Sequence, residues 1–281
     1  MTARHNEFNY RKKFYTKLSK GFMDISELKS NRVLGLFAHP DDCEILSAGT
    51  VALLQRKGFA VTIATVATGD LGTAVMSSPE ISRVRFQEAT KSAAILNGAY
   101  YCLGESDVNF LLTIKLRQKA VEIIRRINPL IIVTHSPQDY MLDHCFTSDL
   151  VWDACFNAGI PNYVTNEPDP AKPTDFIPYL YYADPIEGID RFGAKITPHF
   201  YIDITKSMDT KISMLVQHDS QRSWLKKQHG LDHYVESMKD WCRKRGSEVG
   251  VEYAEAFRQH LGHAFPHDNI LDSLLGVLKR N

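Results

Sequence analysis

The most constraining feature of this chain is an apolar run that stops abruptly at ligand-type side chains. Residues 33–38 read VLGLFA, the pattern of a short buried strand, and are followed by His39-Pro40-Asp41-Asp42. Pro40 fixes its own φ and disfavours helical geometry at His39, so the chain must turn there. Residues 44–56 then have the composition of a helix. In an open α/β sheet, ligands bind at the carboxyl ends of strands. A histidine and an aspartate three residues apart on a stiff turn, His39 and Asp42, can reach one cation of the kind zinc sites hold. The competing role for Asp41 and Asp42 is capping of the following helix. One cap needs one carboxylate, and two adjacent carboxylates repel unless positive charge lies close by.

Composition sets the scale. At 281 residues, with 44% hydrophobic and 23% charged residues, the chain is long enough to bury a large core, and a single α/β domain with elaborations is expected. Thirty-three basic residues balance thirty-three acidic ones without a like-charge block, which gives no nucleic-acid footprint. Residues 1–31 carry His5, Arg11, Lys12, Lys13, Lys17 and Lys20 but no apolar core of a secretory signal, so a cytoplasmic N-terminus is expected. No apolar segment approaches the roughly 20 residues of a membrane span. Cys43, Cys102, Cys145, Cys155 and Cys242 show no CxxC spacing and fit reduced thiols.

Strand and helix signals alternate along the chain. Residues 59–67 form a β-branched apolar run, followed by the loop Thr68-Gly69-Asp70-Leu71-Gly72 at a second strand end. Two glycines outside a GxGxxG pattern are a weak nucleotide signal. Residues 79–97 read as a helix closed by Gly98, with Arg85 and Glu88 one turn apart, the spacing of a surface ion pair. Residues 99–103 read as a strand and 116–127 as a helix. Residues 130–134 (LIIVT) read as a buried strand ending in His135-Ser136-Pro137-Gln138-Asp139-Tyr140-Met141-Leu142-Asp143-His144. His39, Asp42 and His144 would make a three-ligand metal site with one open position, the arrangement of catalytic rather than structural zinc. Asp143 is placed to fix a ligand imidazole's tautomer.

Residues 159–175 read as a long loop forming a lid or substrate wall. Residues 176–183 and 200–204 read as further strands, with Asp203 or Thr205 capping a helix that leads into His218-Asp219-Ser220-Gln221. Residues 233–258 read as helical around Gly246, and 270–278 as a short amphipathic helix that could dock on the body or on a partner.

Taken together, AHPDDCE at a strand end, Arg85-x-x-Glu88, LGESD at 103–107, SPQDYMLDH at 136–144 and KISMLVQHDSQ at 211–221 resemble the PIG-L/LmbE family of zinc-dependent N-deacetylases. The resemblance spans roughly residues 33–258. It implies an N-terminal extension at 1–31, a deacetylase domain at 32–265 and a helical tail at 266–281. The implied architecture is an α/β, Rossmann-like, mostly parallel sheet with helices on both faces and a C-terminal helical and β elaboration. The implied chemistry is hydrolysis of an acetamido group, usually on an N-acetylglucosamine unit of a larger conjugate, with one Zn²⁺ per chain.

Residue by residue, His39, Asp42 and His144 match the family's metal ligands, Asp41 its general base, and Arg85 and Asp107 its sugar contacts. Many members carry a histidine three residues before the last ligand, assigned to the oxyanion or acid role; this chain has Met141 there, which can do neither. His218, matching the family's HxSQ segment, is then the expected acid, with His135 the competitor. The expected partner is a small amino-sugar conjugate; a homo-oligomer is left open. The alternative is a catalytically decayed sugar- or metabolite-binding protein on the same fold. A serine hydrolase is disfavoured, since no GxSxG elbow is present.

Overall fold

The structure, a computed structural model, describes residues 25–222 and 233–279. Among these residues a seven-stranded sheet has the order β3-β2-β1-β4-β5-β7-β6. The strands are β1 (Arg32–Phe37), β2 (Ala60–Ala67), β3 (Ala99–Glu105), β4 (Ile131–Thr134), β5 (Tyr179–Ala183), β6 (Phe200–Asp203) and β7 (Ala254–Gln259). The first five are mutually parallel. β7 runs antiparallel to both β5 and β6. The helices are α1 (Asp42–Leu46), α2 (Ala48–Arg56), α3 (Ser78–Ala94), α4 (Ile114–Ile127), α5 (Leu142–Asn157), α6 (Met208–Leu215), α7 (His233–Ser247) and α8 (Ile270–Leu275).

Strand pleating divides the core into two layers. Val33, Phe37, Ile63, Ile131 and Tyr181 face one side with residues of α2, α3, α6 and α8. Leu34, Leu36, Ala64, Ile132 and Leu180 face the other, with residues of α4 and α5. Both faces are covered, so the parallel strands read as near-continuous apolar runs. The expected Rossmann-like sheet with helices on both faces is thus what the chain builds. The sheet grows outward from β1 through β2 to β3, then restarts at β4 on the other flank of β1. The carboxyl ends of β1 and β4 are therefore neighbours at the point of reversal, where a crevice opens in such sheets.

Three local expectations are corrected. Residues 254–258, read as the end of a helix, belong to β7: α7 stops at Ser247, and Gly250 takes a φ of 78° in the turn that follows. The loop 159–175 cannot be a lid, because it joins the end of α5 to the start of β5 and so lies at the opposite edge of the sheet from the crevice. It is fastened to α4 instead: the Arg125 guanidinium donates to the carbonyls of Ala158, Ile160 and Tyr163, and Glu122 accepts from Thr165 Oγ1. The helix expected over 44–56 is broken at Ser47, whose φ is −147°.

That break creates a second helix start, and Glu255 of β7 caps it. The Glu255 carboxylate accepts from Gly49 N at 2.9 Å and Thr50 N at 2.7 Å, and Lys211 Nζ of α6 sits 2.5 Å from it. A Cβ at Gly49 would lie 2.8 Å from Ile204 Cβ, so this approach needs glycine. The segment at 266–281, expected as a tail, contributes Ile270, Leu271 and Leu274 to the first core layer. No helix among the described residues is long and apolar enough to cross a membrane.

Lys211 and Glu255 are both buried, and removing one partner of such a pair strands the other charge. Lys211→Ala is expected to lower the unfolding free energy by about 3–5 kcal/mol, measured by equilibrium urea denaturation. A loss below about 1 kcal/mol, the range of an exposed pair, would show that the pair does not lock α2 to β7.

Candidate metal and catalytic site

The turn after β1 is held by its own backbone. Asp42 Oδ2 accepts from His39 N at 2.7 Å, so this carboxylate bonds back onto the turn instead of capping α1. Asp41 occupies the N-cap position of α1 with a φ of 115°, in the left-handed region, and its side chain makes no cap bond either. Neither aspartate does the capping that would explain both without a ligand.

The two turns bring His39, Asp42 and His144 together, one ligand-type atom from each lying within 4.8 Å of the others. His39 Nε2 contacts Asp143 Oδ2 at 2.9 Å, leaving Nδ1 facing Asp42 at 3.3 Å. His144 Nδ1 contacts Asp139 Oδ1 at 3.0 Å, leaving Nε2 facing Asp42 Oδ1 at 3.6 Å. Each imidazole thus has one nitrogen tied to its own carboxylate and the other turned toward a shared one, the outer-shell pattern that fixes ligand histidines. Asp143 is itself aligned by Val108 N at 2.8 Å. Two neutral-capable imidazoles and one carboxylate are a donor set that fits a borderline divalent cation.

Electrostatics agree with this geometry. Burial opposes charging of His39, but its bonds to Asp143 and Asp42 outweigh it and push the imidazole up to about 10. Burial likewise opposes ionisation of Asp42, yet the adjacent His144 and His135 hold its carboxyl well below the usual range. Two imidazoles that would otherwise hold protons around one buried anion mark a place where a cation can replace those protons.

His135, Asp139 and His144 also cluster. They do not make an independent second site, because His144 Nδ1 already serves Asp139 while Nε2 serves the first group. His135 is fully buried, stacked on His144 at 3.9 Å between ring centroids, with Nε2 3.0 Å from Ala38 N and 3.1 Å from Asp42 Oδ2. Burial and the neighbouring His144 push it down to about 4. It is therefore neutral near pH 7 and walled off behind Asp42, which removes it as a proton donor.

His218 lies elsewhere, following α6. Its Nε2 is 3.3 Å from Glu44 Oε1, and Glu44 is held in turn by Ser92 Oγ at 2.5 Å. Burial works against its charge, but Glu44, Asp41 and Glu88 raise its pKa above the ordinary imidazole value. Asp41 is pushed up to about 6 by burial and by the charge of Asp42, against the pull of His218 and Arg85. Its Oδ2 accepts from the Tyr234 hydroxyl at 2.5 Å.

Arg85 is not the partner of Glu88. Glu88 takes Ser220 through its N–H and hydroxyl, at 2.8 and 2.6 Å. Arg85 is buried, donates to Gly72 O at 3.1 Å and to Gln221 Oε1, and keeps a buried Nε without a partner. Cβ atoms at Gly69 and Gly72 would collide with its side chain at 2.3 and 2.2 Å, so the loop is glycine-rich to wrap this arginine, not a phosphate. Asp107 accepts from Gly69 N at 2.8 Å and Leu71 N at 3.4 Å, fastening the same loop. Met141 stands at the N-cap of α5 and offers no side-chain donor. Asp139, Glu44 and Tyr234 were missed from sequence as site residues. The first two lie inside motifs already singled out, but Tyr234 carries no local signal.

Residues 34–155 match the family described as PIG-L: GlcNAc-PI de-N-acetylase. Over that span the chain is similar to the PIG-L family. The matched span holds both metal-type turns, Arg85 and Asp107 but neither His218 nor Tyr234. A diacetylchitobiose deacetylase of Thermococcus kodakarensis is 29% identical over 213 residues, 73% of each chain. Among solved structures, N,N′-diacetylchitobiose deacetylase from Pyrococcus horikoshii, in complex with its inhibitor MPG, matches with a TM-score of 0.70 and 22% identity. That match covers 94% of this chain and 97% of the other. GalB, the 4-carboxy-2-hydroxymuconate hydratase of Pseudomonas putida, matches with a TM-score of 0.67 and 20% identity over 85% and 99%. These structural likenesses establish the fold, and since the two named reactions differ, the reaction of this chain has to be argued from its site.

If the cluster holds a metal, His39→Ala and His144→Ala should each lose most of the divalent ion per chain. Asp139→Ala should weaken its affinity about 10- to 100-fold. Elemental analysis and chelator competition decide this; full metal content in both histidine variants would remove the assignment.

Proposed function

We propose that the protein is a metal-dependent N-deacetylase acting on an N-acetylated amino sugar, in particular an N-acetylglucosamine unit of a small conjugate. The observation that carries this reading is the pair of imidazoles, each locked by a separate carboxylate and turned onto Asp42, beside a second aspartate aimed elsewhere. The diacetylchitobiose deacetylase relative supports the acetamido substrate. His39, Asp42 and His144 would hold the ion, zinc by the chemistry of this donor set. Bound there, zinc polarises an amide carbonyl and lowers the pKa of bound water toward about 7.

The chain's own residues do the rest. Asp41 takes the proton of the attacking water. His218, charged and held by Glu44, gives a proton to the departing amine. Arg85, with its partnerless Nε, and Asp107 contact the sugar, while Asp143 and Asp139 keep the ligand imidazoles in one tautomer. Met141 leaves the oxyanion without the family's histidine, and this observation favours the second reading, a binding protein whose hydrolytic competence has decayed.

Two measurements separate the readings. Diacetylchitobiose and N-acetylglucosamine conjugates should release acetate, with activity lost to a chelator and restored by added zinc. Stoichiometric binding of the same sugars with no acetate released would favour the decayed binder. Asp41→Asn should keep the metal and lose about 10²- to 10⁴-fold in kcat.

A general acid must hold its proton, so activity should fall as pH rises through the raised pKa of His218. His218→Gln should lower kcat at least about tenfold and abolish that alkaline limb, and Met141→His should raise kcat in the parent. An unchanged limb in His218→Gln would exclude His218 as the acid.

A further inference from the structure

The Tyr234–Asp41 contact has a consequence beyond packing. Asp41 sits at a helix N-cap yet makes no cap bond, and its backbone is held at a φ of 115°. An aspartate there ordinarily turns its carboxylate down onto the helix amides. Here Oδ2 is engaged 2.5 Å away by the hydroxyl of a tyrosine 193 residues along the chain, the length of a charge-assisted O–H···O⁻ bond. Both side chains are buried. The terminal torsion of an aspartate is broad and two-fold, so an untethered carboxylate samples orientations that do not present an oxygen to the attacking water. Burial and the facing carboxylates of Asp41 and Glu44 raise the pKa of the Tyr234 phenol well above its ordinary value, so it remains a donor throughout the working range.

We infer that Tyr234 is a positioning residue: its hydroxyl holds Oδ2 of Asp41, so that Oδ1 is the oxygen that receives the proton of the attacking water. The inference rests on the reading of Asp41 as general base. Catalytic groups need their geometry held within about half an ångström by such supporting bonds. Tyr234 supplies that support from α7, outside the matched family span.

The test uses the metal-loaded full chain. Tyr234→Phe keeps the ring and removes only the hydroxyl. It should lower kcat about ten- to a hundredfold, the worth of a hydrogen bond to a charged group, with KM, metal per chain and melting temperature unchanged. Asp41→Asn/Tyr234→Phe should then be no slower than Asp41→Asn alone. Parental kcat in Tyr234→Phe overturns the inference, as does the same further loss in the Asp41→Asn background or a rate loss that follows a fall in melting temperature. In the last two cases Tyr234 serves the fold. Parental kcat in Asp41→Asn would instead remove the base reading itself.

Discussion

The structure of the site depends on one buried anion, the carboxylate of Asp42. A buried carboxylate without compensation is prohibitively costly, so the surrounding chain has to supply donors or positive charge. It does so with the His39 backbone amide at 2.7 Å and with nitrogens of His39 and His144 at 3.3 and 3.6 Å, while the neutral His135 ring packs 3.1 Å from the same carboxylate. Those three rings come from two turns more than 90 residues apart in sequence. They meet because the sheet order reverses between β1 and β4. Any other placement of β4 would leave Asp42 with His39 alone.

The same demand sorts the other acids. Two unit charges about 5 Å apart at an effective dielectric near 20 repel by about 3 kcal/mol. Asp41, Asp42, Asp139, Asp143 and Glu44 are compatible in one region only if each has its own counterpart. The partners differ in kind, and with them the chemistry open to each acid. Asp139 and Asp143 meet ring nitrogens and orient them. Glu44 meets Ser92 and His218 and raises the pKa of that imidazole. Asp41 meets a phenol, and burial and the neighbouring Asp42 charge push it up to about 6. Adjacent residues of identical type, Asp41 and Asp42, are thereby given unlike environments.

Much of this was readable from sequence because it is local. Apolar runs of four to eight residues ending in His, Asp, Gly or Pro placed β1, β2 and β4, and with them the turns bearing His39, Asp42, Asp143 and His144. What stayed hidden is tertiary. The sequence Ala254–Gln259 continues a helix-compatible composition, and only its place between β5 and β6 makes it a strand. Arg85 and Glu88 have ion-pair spacing, but Gln221 and Ser220 of a distant segment claim them separately. The loop 159–175 has lid-like composition, yet its position is set by connectivity: it links a helix to the next strand, and such links lie away from the carboxyl ends. Tyr234 was illegible because nothing within its own helix distinguishes it from a packing aromatic.

The elements beyond the matched family span do more than complete the sheet. Glu255 on β7 fixes the start of α2 with the help of Lys211 on α6, and so anchors the second helix after the His39–Asp42 turn. His218 follows α6, and Tyr234 opens α7. These groups approach Asp41 and Glu44 from the core layer opposite α5, the helix that carries His144. The ligand-type residues and the residues that set the protonation of Asp41 therefore belong to different parts of the chain. Substitutions in the last third can therefore change the surroundings of Asp41 while leaving the His39, Asp42 and His144 cluster intact. The His39, Asp42 and His144 cluster thus depends on the β1 and β4 turns, and the surroundings of Asp41 on segments that follow β6.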